Sequence, residues 1–188
     1  MNIGTKRLLL RAIELKDLPQ LHAWANDPEI QYRLGGWHFP TSTRDQEQWI
    51  GSLHCQSADQ RFAVQRTDGV VLGTANLVSI DWKNRTAFAG LMLAPAYQRM
   101  GFGTEIVMAL MNYAFNELGL VRLDTDIIEY NEASLALHLR CGWTVEGRKN
   151  KAYFRKGQHW GKVILGITRD EAESVLQTSG GCNRVEAR

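Results

Sequence analysis

Cysteine and proline are scarce in this sequence, which has three cysteines and four prolines among 188 residues. Cys55, Cys141 and Cys182 form no Cys-x-x-Cys pair, and three cysteines cannot all be paired within one chain. Reduced thiols are therefore expected, as in cytosolic proteins, rather than the disulfide framework of a small secreted domain. The five histidines are scattered without the spacing of a metal site, so no metal is predicted.

Long apolar runs and an excess of one charge are also lacking. No stretch approaches the ~20 apolar residues that a membrane helix needs, and only the short run Leu8–Leu10 follows the charged start, so no signal segment is predicted. The net charge of +2 does not indicate a general nucleic-acid surface. The length suits one buried core, so we predict a single cytoplasmic domain over residues 1–178 and a disordered tail over residues 179–188.

The hydrophobic pattern predicts an α/β (α+β) fold. Asp68-Gly69 between two apolar runs indicates a hairpin, and the nearly continuous apolar run 86–94 is typical of a central strand buried on both faces. Apolar residues recur with a 3.6-residue period over 103–118, and they alternate with polar residues over 121–127. The predicted order is β-α-α-β-β-β-α-β-α-β-β, a mixed, mostly antiparallel central sheet flanked by helices.

Residues 91–104, Leu-Met-Leu-Ala-Pro-Ala-Tyr-Gln-Arg-Met-Gly-Phe-Gly-Thr, are the most informative stretch. An apolar strand ends at Pro95, and two glycines open a long helix. A helix N-terminus with close backbone N–H groups suits a phosphate or pyrophosphate, and glycine lets the main chain approach the anion. We therefore expect a phosphorylated cofactor here.

Three phosphate-binding motifs compete for this loop. A P-loop requires Gly-Lys-Ser/Thr, which Thr104-Glu105 does not supply. A dinucleotide fingerprint requires a third glycine, but position 106 is isoleucine, and antiparallel-looking strands come before the loop. The third candidate is an acyl-CoA site.

The sequence resembles the GNAT superfamily of acyl-CoA-dependent N-acyltransferases. Gln98–Gly103, Gln-Arg-Met-Gly-Phe-Gly, matches the signature Gln/Arg-x-x-Gly-x-Gly/Ala of that superfamily, and the likeness covers roughly residues 5–170, including Thr5–Arg11, Asn131–Ser134 and Cys141–Trp143. It is similar to the branch of ribosomal-protein N-terminal acetyltransferases and diamine acetyltransferases. The resemblance implies a GNAT-like fold with splayed central strands, and an acetyl-CoA-dependent N-acetyltransferase that acts on a primary amine by direct attack on the thioester.

The resemblance also implies which residues hold acetyl-CoA. The backbone of the central strand would hold the pantetheine arm at Leu91, Met92 and Leu93, and the Leu93 N–H would polarise the thioester oxygen. Seven consecutive residues would hold the pyrophosphate: Gln98, Arg99, Met100, Gly101, Phe102, Gly103 and Thr104. Asn131 would contact the CoA arm, or cap its helix, and Ser134 shares its helix face.

The resemblance leaves the acid and base less certain. His138 occupies the position where many relatives carry a tyrosine that protonates the departing thiolate. An imidazole can also protonate a thiolate. The alternative is that His138 is a partly exposed helix residue without a catalytic role. The usual glutamate of the central strand is missing, because Phe88, Ala89 and Gly90 occupy those places. Glu129 is the first candidate for the base and Asp81 the second, and a solvated surface carboxylate is the alternative for each.

The acceptor is the least determined part of the prediction. The loop between the two early helices carries three aromatic residues that would border the acceptor cleft, or pack in the core: Trp37, His38 and Phe39. Two other functions stay open, an N-acyltransferase with an atypical substrate such as aminoacyl-tRNA and a non-catalytic CoA-binding module. The branch also allows a homodimer.

Overall fold

The computed structural model describes residues 2–36 and 39–178. Eight strands form the sheet: β1 (Ile3–Gly4), β2 (Leu8–Ala12), β3 (Gln60–Arg66), β4 (Val71–Asp81), β5 (Thr86–Leu93), β6 (Arg122–Ile128), β7 (Thr144–Arg155) and β8 (Gln158–Thr168). Six helices accompany them: α1 (Leu18–Ala25), α2 (Pro28–Arg33), α3 (Thr43–Ser52), α4 (Phe102–Asn112), α5 (Glu132–Arg140) and α6 (Arg169–Thr178). A π-helical turn, Tyr113–Glu117, extends α4.

The strands form one sheet in the order β1-β2-β3-β4-β5-β6-β8-β7. Every neighbouring pair is antiparallel except β5 and β6, which are parallel. The prediction of a mixed, mostly antiparallel sheet flanked by helices is confirmed.

The structure contains three elements that the sequence patterns do not predict: β1, α2 and α6. Pro28 is the first residue of α2, a position that suits proline because the first turn of a helix needs no N–H from it. The carboxylate of Asp27 caps α2 by accepting the Ile30 N–H (3.0 Å). At the start of α6, the Thr168 N–H donates to the Glu171 carboxylate (2.8 Å). Local capping chemistry therefore forms helices where apolar periodicity is weak.

The helices cover both faces of the sheet and create two buried clusters. On one face, α4 packs Ile106 against strand residues such as Leu123. On the other face, α1 and α3 contribute Trp24 and Ile50 to a second cluster, against which Met92 of β5 packs. Because side chains alternate along a strand, neighbouring residues of β5 and β6 face different clusters.

The two central parallel strands separate along their length. β5 pairs with β6 only at Thr86–Phe88, opposite Arg122–Asp124. Beyond that point β5 stays paired with β4, and β6 stays paired with β8. A gap therefore opens at the carboxyl ends of both strands, as the prediction of splayed central strands requires.

Candidate active site

Backbone groups of β5 line one side of this gap. The Ala94 N–H donates to the Leu72 carbonyl (3.0 Å), and Leu93 lies opposite Gly73. In an antiparallel ladder, residues between the hydrogen-bonded pairs point their N–H and C=O groups away from the neighbouring strand. Leu93, and Leu91 two residues before it, therefore direct both backbone groups toward the gap and not toward β4.

The glycine loop turns the chain from β5 into α4. Gly101 precedes the helix with φ +80°, a left-handed value that glycine adopts without strain. The N–H groups of the first helical turn have no acceptor within the helix. The N-cap residue, Gly101, has no side chain that could accept from them. A Cβ on Gly103 would lie 3.0 Å from Cδ2 of Leu137, so the start of α4 is closely packed against α5. Open N–H donors and the positive end of the helix dipole suit a pyrophosphate.

Arg7, which directly precedes β2, binds this loop. Its Nε donates to the Glu105 carboxylate (2.7 Å), and its Nη1 donates to the Met100 carbonyl (3.2 Å). The guanidinium also lies 4.4 Å from the ring centroid of Phe102. Burial alone would raise the pKa of Glu105, but hydrogen bonds from Thr5 and Arg7 lower it, so the carboxylate stays charged and holds Arg7 in place.

A second network joins α2 to both sides of the gap. The Gln98 side chain donates to the Leu93 carbonyl (2.9 Å) and accepts from Nη1 of Arg33 (3.0 Å). The Arg33 carbonyl accepts from Nδ2 of Asn131 (3.3 Å). Asn131 also caps α5 through the Ser134 N–H (3.3 Å), so its helix-capping role is present and its contact with CoA stays a prediction. Sequence patterns gave no reason to single out Arg33.

His138 lies inside the protein. Its side chain is 4% exposed and meets the Trp143 ring edge-on, with the ring centroids 5.2 Å apart. Its Nδ1 is 2.8 Å from the Ser134 carbonyl, which can only accept, so Nδ1 carries a proton. The structure therefore places His138 in the packing of α5 and not at a partly exposed helix position, and its role as proton donor to the thiolate stays a prediction.

The burial of His138 makes a pH dependence of stability testable. Burial lowers the pKa of His138 from its usual value near 6.5, so the unfolded chain binds a proton there more readily than the folded chain. The associated stability is present above about pH 6.5 and is lost as the pH falls toward the folded pKa. We expect the Tm of the wild type to fall more steeply from about pH 7 to about pH 5 than that of His138→Phe, which keeps the ring contact. Equal slopes in thermal denaturation would contradict the buried, neutral state.

The two carboxylates predicted as bases both bind backbone groups. Glu129, at the end of β6, is exposed, and its Oε1 accepts the Gly161 N–H of β8 (2.6 Å). Asp81 accepts the N–H groups of Lys83 (2.9 Å) and Asn84 (2.8 Å) in the turn before β5. That turn is at the opposite end of β5 from the gap. Glu129 is at the correct end, and its role as a base stays a prediction.

Asp126 is a carboxylate beside the gap that the sequence analysis did not select. It lies on β6 two residues beyond Asp124, the last residue of β6 paired with β5. Tyr153 donates to its Oδ1 (2.6 Å), Lys162 forms an ion pair with its Oδ2, and its side chain is 19% exposed. Burial is the main cause that raises the pKa of the Tyr153 hydroxyl, and the hydrogen bond to Asp126 raises it further. The hydroxyl therefore keeps its proton and donates the hydrogen bond. Because its neighbour Ile127 is buried on the α4 face, Asp126 points to the face that α1–α3 cover.

A cavity of about 650 Å³ lies on that same face. It is bordered by α1, α2 and α3, and Thr74 of β4 and Met92 of β5 line its sheet side. Phe39, predicted to border the acceptor cleft, lines the cavity and is 65% exposed. Trp37 and His38, predicted with it, lie outside the described residues. The cavity therefore reaches the strand segment whose backbone faces the gap.

The two parallel central strands diverge, and the start of α4 beside the cleft is suited to bind an anion. This arrangement is typical of proteins that bind a phosphorylated cofactor where two central strands separate. The family model described as "Acetyltransferase (GNAT) domain" matches residues 7–144. A putative ribosomal N-acetyltransferase of Bacillus subtilis is 30% identical over 89% of this chain and 94% of its own length. The spermidine N(1)-acetyltransferase of Escherichia coli K12 is 26% identical over 91% of each chain.

A solved structure agrees in fold. The spermidine N-acetyltransferase of Vibrio cholerae, in complex with CoA and spermine, superposes with a TM-score of 0.83 at 23% identity, over 88% of this chain and 98% of that one. At this identity the likeness shows the fold alone.

This chain belongs to the GNAT acetyltransferase family. It is an acetyl-CoA-dependent N-acetyltransferase that transfers the acetyl group to an amine, and the predictions of family, enzyme class and acetyl-CoA are confirmed. Within residues 2–36 and 39–178, no helix combines the length and apolarity that crossing a membrane requires. The same residues contain no group of three or more side chains suited to hold a metal ion.

Proposed function

We propose that the acceptor amine and the acetyl donor meet at the gap between β5 and β6. The observation that carries this proposal is the divergence of the two strands after Phe88 and Asp124, which leaves the backbone groups of Leu91 and Leu93 facing an open edge. Acetyl-CoA, when bound, supplies a thioester carbonyl for attack by a neutral amine. The amine approaches from the α1–α3 side, where the cavity opens beside Met92.

The residues on the other side of the gap suit the CoA moiety. The N–H and C=O groups of Leu91 can pair with the amide groups of a pantetheine arm, as an added strand would. The Leu93 N–H can donate to the thioester oxygen, whereas the Leu93 carbonyl already accepts from Gln98. The glycine loop, residues 98–104, holds the pyrophosphate, since its N–H donors are open and a cation, Arg7, stands behind it. Asn131 and Ser134 border the same space at the start of α5.

We assign Asp126 to the amine side of the reaction. An alkyl ammonium with a pKa of ~10.4 must lose a proton before it can attack, so the site needs a group that attracts the cation and passes the proton to water. Asp126 is partly exposed, points to the acceptor face and is oriented by Tyr153 and Lys162. A thiol with a pKa of ~8.5 leaves without strong acid assistance, so no role for His138 is required.

Release of CoA in the presence of amines tests the proposed function. We expect thiol release from acetyl-CoA to depend on a primary amine and to be matched by an equal amount of acetylated amine in mass spectrometry. Trialkylamines serve as controls because they have no N–H to lose on acylation. Thiol release at the same rate without any amine, or none with any primary amine, would contradict the proposal.

Several coarser predictions belong with this function. We propose one domain over residues 1–178, a cytoplasmic location and a homodimer. A spermidine N-acetyltransferase of Vibrio cholerae is dodecameric, which supports the proposal that this chain also associates with copies of itself. The alternatives, a tRNA-linked acceptor and a non-catalytic CoA module, gain no support from relatives that are named N-acetyltransferases.

A further inference from the structure

The wall of the acceptor-side cavity is largely apolar. Seven large apolar side chains among the described residues contribute to it: Leu21, Trp24, Ile30, Leu34, Phe39, Trp49 and Met92. Among the described residues that line the cavity, Asp45 is the only charged one. A volume of about 650 Å³ is within the usual range for small-molecule sites, which are mostly apolar with a few polar groups.

The single carboxylate of the cavity is already engaged. Oδ2 of Asp45 accepts hydrogen bonds from the Ser42 hydroxyl (2.6 Å) and the Ser42 N–H (3.3 Å), which together cap α3. These bonds lower the pKa of Asp45, so the carboxylate stays charged and is held at the helix start. Among the described lining residues, a ligand cation that entered the cavity would meet aromatic and aliphatic surface and this one carboxylate.

The cavity is connected to the proposed amine site through the loop after α2. Leu34 lines the cavity, and its carbonyl accepts from Nη2 of Arg155 (3.1 Å). The next residue, Gly35, packs so closely on Tyr153 that a Cβ there would lie 2.8 Å from the phenol oxygen. Tyr153 in turn binds Asp126. The wall of the cavity and the residues around Asp126 are therefore neighbours along this loop.

We propose that the acceptor is a monoamine whose amine group lies at the gap and whose apolar body fills the cavity. This inference rests on the proposed function. The body is of aromatic or branched aliphatic size, because Trp24 and Trp49 line the cavity together with aliphatic side chains.

The same geometry disfavours a polyamine as acceptor. Each further ammonium group of a polyamine would have to leave water for a largely apolar wall, whose described residues offer only the carboxylate of Asp45 at its rim, and a buried charge without a partner is strongly unfavourable. The chain therefore differs in acceptor class from the relatives named for spermidine, although it shares their family.

Two amines with the same number of heavy atoms isolate the effect of charge. Heptylamine and hexamethylenediamine differ only in a terminal methyl in place of an ammonium. We expect kcat/KM for heptylamine to exceed that for hexamethylenediamine by at least about tenfold, and phenethylamine to be accepted better than spermidine. Equal or higher kcat/KM for the diamine and for spermidine would overturn the inference while leaving the proposed function intact. Absence of CoA release with every amine would overturn both.

A charge placed in the cavity gives the reciprocal test. Gln46 lines the cavity and is 7% exposed, whereas Gln48 on the same helix is exposed and lies outside the cavity lining. Gln46→Glu is expected to shift the ratio of kcat/KM toward hexamethylenediamine by about tenfold, and Gln48→Glu to leave the ratio unchanged. Thr41→Asp, at a half-buried lining position, replaces Gln46→Glu if thermal denaturation shows that this variant does not fold. An unchanged ratio in the folded variant would overturn the inference.

Discussion

Replacing Gly101 with valine is expected to raise the KM for acetyl-CoA by at least about a hundredfold while the protein still folds. Gly101 has φ +80°, where a residue with a Cβ is strained by about 1–2 kcal/mol, and a β-branched side chain is worse. Relief of that strain would turn the N–H groups of the first helical turn away from the pyrophosphate. Each lost hydrogen bond to a charged group removes a further ~1.5–3 kcal/mol. Steady-state kinetics with varied acetyl-CoA measure the effect.

Gly157→Val is the matched control for this variant. Gly157 lies in the turn between β7 and β8 with φ +81°, and no atom lies within 4 Å of a Cβ placed there. The strain in the backbone is therefore the same, but the glycine loop is untouched. We expect Gly157→Val to lower Tm about as much as Gly101→Val and to leave the KM for acetyl-CoA within about twofold. A folded Gly101→Val protein with unchanged acetyl-CoA affinity would show that the pyrophosphate binds elsewhere.

Replacing Asp126 with asparagine is expected to lower kcat/KM for the amine by about a hundredfold, the lower end of the usual effect of acid–base groups. The amide is nearly isosteric and its oxygen can still accept from Tyr153, but it neither attracts an ammonium group nor takes a proton. The KM for acetyl-CoA should change by less than about twofold, because no residue of the glycine loop contacts this carboxylate.

Asp124→Asn controls for the loss of a negative charge on the same strand. Asp124 points to the same face as Asp126 but lies where β6 is still paired with β5, and it forms an ion pair with Arg122. We expect this variant to keep amine kcat/KM within about threefold, since partly exposed ion pairs contribute little. If Asp124→Asn and Asp126→Asn lost activity equally, the effect would be general electrostatics, and the assignment of Asp126 to the amine would be wrong. Glu129→Gln would then be the next variant to measure.

The cofactor side of the site could be predicted from the sequence because its chemistry is local. The bend at Gly101, the start of α4 and the end of β5 lie within one stretch of residues 91–104, so a motif can report them together. The backbone of this stretch does the binding, and glycine positions reveal a backbone requirement directly. The same holds for the fold class, since strand alternation and the Asp68-Gly69 turn are signals of short range.

The acceptor side could not be predicted in the same way. Asp126 meets Tyr153 and Lys162 only because β6, β7 and β8 are neighbours in the sheet, and residues 27 or more positions apart carry no shared local pattern. The burial of His138 could not be predicted for the same reason, since helical spacing puts it on the face of Asn131 but does not show that Trp143 covers it. The helix α2 was missed because a single capping aspartate, and not periodicity, specifies it.

The sequence by itself determined the loop that suits a pyrophosphate, because this depends on contiguous backbone geometry, and its resemblance to the GNAT superfamily implied the family and the use of acetyl-CoA. The tertiary structure alone decided which carboxylate lies beside the open edge of β5, which histidine is buried, and that the cavity under α1–α3 is apolar with one engaged acid. The physical reason is that proton transfer and acceptor choice depend on side chains brought together across the sheet. Their positions are set by packing and strand order and not by spacing along the chain.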